Sequence, residues 1–235
     1  MPLFYFHGIP GSRLDFHQPV NQKALDGLAV RLIGIDRPGF GGSKLQPGQR
    51  YSDWPSYVAG VADHLGIERF GVIGFSAGDR TPSRASALPA RVTVVAIVSG
   101  VGPAEMPRFH HGMGRTDSVM TRLSRWAPPP ARMAIARAVK QATQSPDEFS
   151  RQFDKELATP DLPVHRDAEM RKAIREALVE PTKSGPQGVI EGYRAWASPS
   201  GLSYSNVAAP VRIGHGEGDA IVPMHHARYV ARSGR

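Results

Sequence analysis

The fold of this 235-residue chain is decided by the stretch Val72-Ile73-Gly74-Phe75-Ser76-Ala77-Gly78. The apolar run Phe70–Ile73 predicts a buried strand, and the Gly-x-Ser-x-Gly pattern is typical of a sharp corner between a strand and a helix. Such a corner lifts the serine hydroxyl above the sheet, so Ser76 is the candidate nucleophile. Glycine is expected at 74 and 78 because side chains there would collide where strand and helix approach closely. Alone, the pattern also fits an ordinary strand that ends in a glycine turn.

Three further motifs give this corner its context, and each follows an apolar segment that predicts a strand. They are His7-Gly8-Ile9-Pro10-Gly11, Asp36-Arg37-Pro38-Gly39-Phe40-Gly41-Gly42-Ser43, and His215-Gly216-Glu217-Gly218-Asp219 with Val222-Pro223. In this order and at this spacing, together with the corner, they resemble the α/β-hydrolase family. The likeness is greatest to serine-type members with a helical cap, the esterase, lipase and peptidase-like group. It covers residues 3 to about 103 and about 209 to 232.

The order of predicted elements indicates the fold class without the resemblance. A strand over Leu3–Phe6 precedes a helix over Phe16–Leu28. A second strand over Val30–Asp36 precedes a helix that begins at Ser52 or Asp53. Strands that alternate with helices predict a parallel sheet with right-handed crossovers. We therefore expect an α/β protein, an incomplete α/β-hydrolase fold with a mostly parallel sheet flanked by helices and an inserted helical cap.

The resemblance divides the chain into two parts. Residues 1–103 and 209–235 form the expected hydrolase core, and residues 104–208 form the expected helical cap insertion. In the cap segment the composition shifts to polar helices and proline-rich loops. Helix-start signals and apolar spacing predict three helices there, at residues 145–157, 167–179 and 187–196.

The histidines of the cap segment do not form a metal-binding pattern. His110, His111 and His165 are isolated from one another, apart from the adjacent pair, and we expect them at the surface. A zinc site needs three or four convergent ligands, and no His-x-x-x-His pair is present. The chain also has no cysteine. We therefore expect no metal and no cofactor.

The resemblance implies a role for each candidate site residue. Ser76 corresponds to the nucleophile and Asp219 to the acid that orients the catalytic histidine. The backbone N–H groups of Ile9 and Ala77 correspond to the oxyanion hole, while His7 braces the loop that contains Ile9. The implied reaction is hydrolysis of a small-molecule ester or amide through an acyl-enzyme.

The triad histidine is missing from its usual position. By resemblance it lies about 25 to 30 residues after Asp219, whereas the sequence ends at Arg235. The only histidines after Asp219 are His225 and His226, at the start of a helix opened by Pro223, where we expect exposed side chains. The alternative function is therefore a catalytically impaired or inactive relic, truncated at both ends.

Truncation would also affect the sheet. The first two strands of the family have no counterpart before Leu3, so Val30–Asp36 and Val211–Gly214 are expected at the sheet edges. Uncovered hydrophobic edges favour aggregation.

The run Asp79-Arg80-Thr81-Pro82-Ser83-Arg84 conflicts with the buried helix expected after Ser76. Pro82 removes a helical hydrogen bond, and the arginines fall on or near the face that should meet the core. A short frameshifted window in the gene would explain the conflict, since a one-base shift can restore a glycine and apolar residues. The nucleotide sequence, translated in all frames, distinguishes this hypothesis from a genuine departure.

The composition limits the classes of partner. The net charge is +8, and arginine supplies 23 of the 29 basic residues. These residues are scattered without a stripe of interleaved aromatics, so we expect no nucleic-acid partner. An interaction module built on the helical segment has only the charge in its favour. No signal peptide or membrane span is indicated, so we expect no membrane partner and a cytoplasmic location.

Overall fold

The structure, a computed structural model, describes residues 1–45, 53–79, 87–199 and 206–233. Within these ranges five strands form one sheet: β1 (Pro2–Phe6), β2 (Arg31–Ile35), β3 (Phe70–Phe75), β4 (Val92–Val98) and β5 (Val211–Gly214). The described helices are α1 (Pro19–Leu25), α2 (Trp54–His64), α3 (Arg115–Trp126), α4 (Pro128–Gln144), α5 (Pro146–Phe153), α6 (Leu162–Arg166), α7 (Ala168–Val179), α8 (Gln187–Ala197) and α9 (His225–Ser233).

All five strands are parallel and lie in the order β2-β1-β3-β4-β5. Phe4 of β1 is in register with Val72 of β3, which is in register with Val95 of β4. The prediction of an α/β fold with a parallel sheet is confirmed. In the described sheet β2 and β5 are the edge strands, as the sequence predicts.

One face of the sheet holds the first of two buried apolar clusters. Phe4, Phe6 and Val72 are fully buried there. Trp54 and Val58 of α2 pack against the same cluster, and α9 contributes one buried valine. The two helices therefore cover this face, since the apolar residues of α2 recur at helical spacing.

The helix predicted over Phe16–Leu28 is wrong in extent, because it is interrupted near its start. A 3-10 turn at Asp15–His17 is followed by Gln18 in extended backbone, with φ −59° and ψ 138°, and α1 begins at Pro19. A proline ring disfavours helical geometry at the residue before it. Pro19 therefore separates the two helical pieces.

Helices α3 to α8 lie between β4 and β5 in the chain. The predicted helices at 167–179 and 187–196 are present within a residue of those bounds, and Asp167 caps α7 by accepting the N–H of Met170 at 2.9 Å. The helix predicted through Leu157 ends at Phe153 instead, and the Ser145 side chain forms no capping hydrogen bond. The conflict at 79–84 lies outside the described residues except for Asp79.

A second apolar cluster connects the inserted helices to the loops at the carboxyl ends of the strands. Ile9, Phe40 and Ala77 of these loops are buried together with Ile135 of α4 and Trp196 of α8. The inserted helices and the residue after Ser76 therefore share one buried apolar cluster.

Two helical glycines provide a test of this packing. A Cβ at Gly188 in α8 would lie 2.1 Å from the carbonyl oxygen of Gly39, whereas a Cβ at Gly60 in α2 meets nothing within 4 Å. We expect Gly188→Ala to lower the free energy of unfolding by about 1–3 kcal/mol, because backbone must move. Gly60→Ala should raise it by about 0.5–1 kcal/mol, since alanine favours helix. Urea unfolding followed by circular dichroism measures both. If Gly188→Ala and Gly60→Ala had equal free energies of unfolding, α8 would not be in close contact with the loop after β2 that contains Gly39.

Candidate active site

Ser76 lies at a strained corner directly after β3. Its φ is +52°, in the left-handed region that residues other than glycine rarely adopt. A Cβ at Gly78 would lie 2.2 Å from the carbonyl oxygen of Phe6 and 2.7 Å from that of His7. The close approach inferred from the sequence is thus present at Gly78, and it holds the corner against the end of β1.

The loop after β1 lies against the serine. A Cβ at Gly8 would be 3.2 Å from the Cβ of Ser76, so only glycine allows this approach without displacement. Within the described part of the chain, no hydrogen bond engages the backbone N–H of Ile9 or of Ala77. Both amides are therefore available as donors near the serine, which is what an oxyanion hole requires.

His7 is fully buried and braces this loop. Its Nε2 accepts the backbone N–H of Arg37 at 3.1 Å, so the proton lies on Nδ1, 2.9 Å from the carbonyl oxygen of Gly8. Burial and the neighbouring Arg37 guanidinium hold the pKa of His7 well below its usual value. A neutral imidazole with both nitrogens engaged is suited to hold the loop in place and not to move protons.

Asp219 occupies the loop after β5. Its Oδ1 accepts the backbone N–H groups of Ile221 at 2.9 Å and Val222 at 2.8 Å. Its side chain is 17% exposed, and Oδ2 receives no backbone hydrogen bond from the described residues. One carboxylate oxygen is thus fixed, and the other is open to a further donor.

His215 is the histidine that sequence reasoning missed. Its Nε2 lies 2.6 Å from the carbonyl oxygen of Val222 and 3.6 Å from Oδ2 of Asp219. The first contact places the proton on Nε2, and the buried Nδ1 has no partner among the described residues. Its position four residues before Asp219 in the same motif was the available signal.

The expectation that His225 and His226 are exposed is wrong for His226, which is fully buried. Its Nδ1 accepts the backbone N–H of Gly102 at 3.1 Å, and Val101 donates its own N–H to the carbonyl of Ser76 at 3.3 Å. His226 therefore supports the backbone behind the serine. His225 is half-buried, with Nε2 3.2 Å from the carbonyl oxygen of Arg108.

Burial lowers the pKa of His226 to about 3, and the nearby His225 adds to the effect. Because the unfolded chain takes up this proton at about pH 6.5, the stability contributed by the neutral ring is lost as the pH falls from about 6.5 towards 3. His226→Asn keeps an acceptor for the Gly102 amide and does not titrate.

We expect the free energy of unfolding to fall with decreasing pH more steeply in the wild type than in His226→Asn. The difference in slope should approach about 1.4 kcal/mol per pH unit between about pH 6 and pH 4. Urea titrations at several pH values measure it, and groups common to both proteins, such as Asp15, cancel. Parallel slopes would show that His226 titrates normally.

A polar network links the site loops to the inserted helices, and sequence reasoning did not find it. Arg13 of the first loop pairs with Asp36 after β2 and, at 2.8 Å, with Glu180 between α7 and α8. Glu180 also pairs with Lys183. In the same loop, burial raises the pKa of Asp15 to about 7, while its Oδ1 accepts the N–H of Ser12 at 2.8 Å.

The expectation of a surface position is also wrong for His165. This side chain is buried, and its Nδ1 lies 2.5 Å from Oδ1 of Asp154. The other carboxylate oxygen of Asp154, Oδ2, accepts hydrogen bonds from Arg166 at 3.1 Å and from Arg171 at 3.0 Å. The pairing explains how a charged cluster is accommodated between α5 and α7. Among the residues that the structure describes, no three histidine or acidic side chains form a group able to hold a metal ion.

Among the described residues, no hydrogen bond joins the Ser76 side chain to a histidine. All nine histidines lie in the described ranges, and none forms a hydrogen bond with Ser76 or a contact with Asp219 shorter than that of His215. In the part of the chain that the structure describes, the candidate site residues are thus a strained serine, two amides without a hydrogen bond and an oriented carboxylate, and no imidazole bonds to the serine.

Comparison with known proteins agrees with the observed fold. A family model for the alpha/beta hydrolase fold matches residues 1–233, and the chain therefore belongs to the alpha/beta hydrolase fold family. A search of the curated proteins found no match.

Among solved structures, the chain is similar to a bromoperoxidase from Bacillus anthracis, with a TM-score of 0.70 and 20% identity over 99% of this chain and 79% of that one. A thermophilic esterase from Thermogutta terrifontis has a TM-score of 0.68 and 19% identity over 99% and 77% of the two chains. The enol-lactonase from Burkholderia xenovorans LB400 has a TM-score of 0.67 and 18% identity over 99% and 78%. At these identities the likeness is one of fold.

Proposed function

We propose that this protein has the site of a serine hydrolase for small ester or amide substrates, and that its turnover is impaired. Ser76 is the nucleophile, the N–H groups of Ile9 and Ala77 stabilise the oxyanion, and Asp219 is the acid. Hydrolysis proceeds through an acyl-enzyme, in which the serine oxygen bonds to the carbonyl carbon and the alcohol or amine leaves.

The observation that supports this function most strongly is the strain at Ser76. A serine at φ +52° persists only where the surrounding contacts impose it, and such strain concentrates at functional sites. Here the close contacts at Gly8 and Gly78 hold the end of β1 against the corner that follows β3, where Ser76 lies. Position and orientation of a nucleophile beside free N–H donors are the features that acyl transfer needs.

The impairment follows from the histidines. A serine hydroxyl is a weak nucleophile at neutral pH unless a base takes its proton. His7 and His226 have the acceptor nitrogen engaged by backbone N–H groups. His225 lies against Arg108, and His215 bonds to Val222 and, in the described structure, forms no hydrogen bond with Ser76. We therefore favour the catalytically impaired alternative. In it, substrate binds beside Ser76 but acylates this serine only slowly.

We further propose that the inserted helices act as a cap, with residues 104–208 covering a core made of 1–103 and 209–235. The cluster that joins Ala77 to Ile135 and Trp196 supports this assignment. In this arrangement, side chains of the inserted helices near Ala77 contact the acyl group of the substrate. They therefore limit the size of the acyl group that the site accepts.

Acyl trapping tests the proposal. The deacylating water needs the same base as the serine, so an acyl group, once attached, should persist. We expect prolonged incubation with p-nitrophenyl acetate to leave one acetyl group on the peptide that contains Ser76, detected by mass spectrometry, and none on this peptide in Ser76→Ala. Acetylation confined to lysines or the amino terminus in both proteins would contradict the assignment of Ser76.

A further inference from the structure

The first two inserted helices, α3 and α4, pack against each other, and we define their exposed residues, within 115–144, as the α3–α4 surface. Trp126 is 77% exposed and Met133 is 75% exposed, more than any other large hydrophobic residue among those described, and Val119 is 43% exposed. In α3 the exposed residues Arg115, Val119, Arg122 and Trp126 recur at helical spacing and share one face. The opposite face packs inward, where Tyr193 of α8 donates to Asp117 at 2.6 Å.

This surface is also strongly basic. Residues 115–144 contain six cationic side chains and one acidic one, so they contribute +5 to the net charge of +8. The acidic residue, Asp117, is half-buried and engaged by Tyr193. Arg122, Arg137 and Lys140 are exposed and have no carboxylate partner in the described ranges, and the Arg125 guanidinium lies 5.1 Å from the Trp126 ring centroid.

We propose that the α3–α4 surface binds the surface of an anionic lipid membrane. An exposed tryptophan beside aliphatic side chains and arginines matches the interface between lipid headgroups and acyl chains, where indole rings partition and cations meet phosphate. The cations without carboxylate partners supply charge complementarity to anionic headgroups. Binding at the surface needs no spanning segment, and no described helix is long and apolar enough to cross a membrane.

A single-stranded nucleic acid fits this surface less well. Such ligands stack successive bases on several aromatic rings along a basic groove. Trp126 is the one exposed aromatic ring on the two helices, and its exposed neighbours Val119 and Met133 are aliphatic. The proposal revises the expectation of no membrane partner and is independent of the proposed function, because none of these residues belongs to the candidate active site.

Tryptophan fluorescence of the full chain tests the proposal directly. The chain has three tryptophans, and Trp54 and Trp196 are 4% and 1% exposed, so a change on vesicle addition reports on Trp126. We expect a blue shift with vesicles of equimolar phosphatidylglycerol and phosphatidylcholine, and none with phosphatidylcholine alone. High salt should weaken the binding, since the attraction is partly electrostatic.

Paired variants distinguish a specific contribution of the α3–α4 surface to vesicle binding from a general effect of the protein's net charge. Trp126→Ala with Met133→Ala should lower co-sedimentation with the anionic vesicles by roughly tenfold or more, because both side chains insert. Arg122→Gln with Arg137→Gln should lower it by about 25-fold, at about fivefold for each cation. The controls are Leu28→Ala, and Arg31→Gln with Arg232→Gln, which change exposed residues elsewhere.

Each remaining outcome contradicts the proposal. No binding to anionic vesicles, or equal losses in the two arginine pairs, would show that the α3–α4 surface has no specific role. Tighter binding of a single-stranded oligonucleotide at the same salt concentration, with loss in Trp126→Ala, would assign the surface to nucleic acid. Unchanged circular dichroism and thermal transitions of the variants confirm that folding is not the cause of any loss.

Discussion

The purified protein is expected to hydrolyse short p-nitrophenyl esters at a rate only slightly above that of Ser76→Ala. Without a base, the serine retains the oxyanion hole and substrate binding, which leaves activity roughly three to six orders of magnitude below that of an intact triad. The rate of p-nitrophenol release under saturating substrate measures this. The expectation rests on the engaged nitrogens of His7 and His226 and on the absence of any hydrogen bond between Ser76 and the nine histidines.

An ordinary enzymatic rate that is lost both in Ser76→Ala and in Asp219→Ala would contradict the proposal that turnover is impaired. It would show that the protein is an active hydrolase. Separate glutamine variants at His215, His225 and His226 would then identify the base. His215 would be the first to examine, because its N–H already faces Val222 and Asp219 while its Nδ1 has no partner in the described structure. Loss of activity only in His215→Gln, with folding intact, would assign the base to this residue.

Free imidazole is expected to restore part of the missing activity. Oδ2 of Asp219 receives no backbone hydrogen bond from the described residues, so it can accept the N–H of an added imidazole, whose second nitrogen then takes the serine proton. A positioned base contributes about 10²–10⁴-fold, and a freely diffusing one less, so we expect an increase of roughly tenfold to a hundredfold. An alkyl ester followed by titration of released acid is the suitable assay, because such esters react slowly with imidazole itself.

Two controls make the rescue interpretable. Ser76→Ala should give no increase above the reaction of imidazole in buffer, and Asp219→Asn should give a much smaller one, because the amide does not stabilise an imidazolium ion. The increase should follow the neutral form of imidazole as pH rises through about 7. A rise of equal size in all three proteins would show that imidazole acts outside the site and that Ser76 and Asp219 do not cooperate.

The local sequence determined the strands, the corner and the parallel sheet. β5 has the predicted bounds of Val211–Gly214, because a short segment that begins after Pro210 and ends at a glycine leaves little choice. The glycine at 78 was explained correctly, since a Gly-x-Ser-x-Gly corner requires a close backbone approach whatever the surrounding fold. These features depend on residues near one another in the chain.

The roles of the histidines were decided only by the tertiary structure. His226, Gly102 and Ser76 are far apart in sequence, and only packing of α9 under the loop after β4 places the imidazole on the Gly102 amide. The same holds for His165, whose burial against Asp154 depends on how α5 and α7 meet. Burial and long-range contacts set the proton affinity and available nitrogen of an imidazole, and residue type and spacing alone do not specify them.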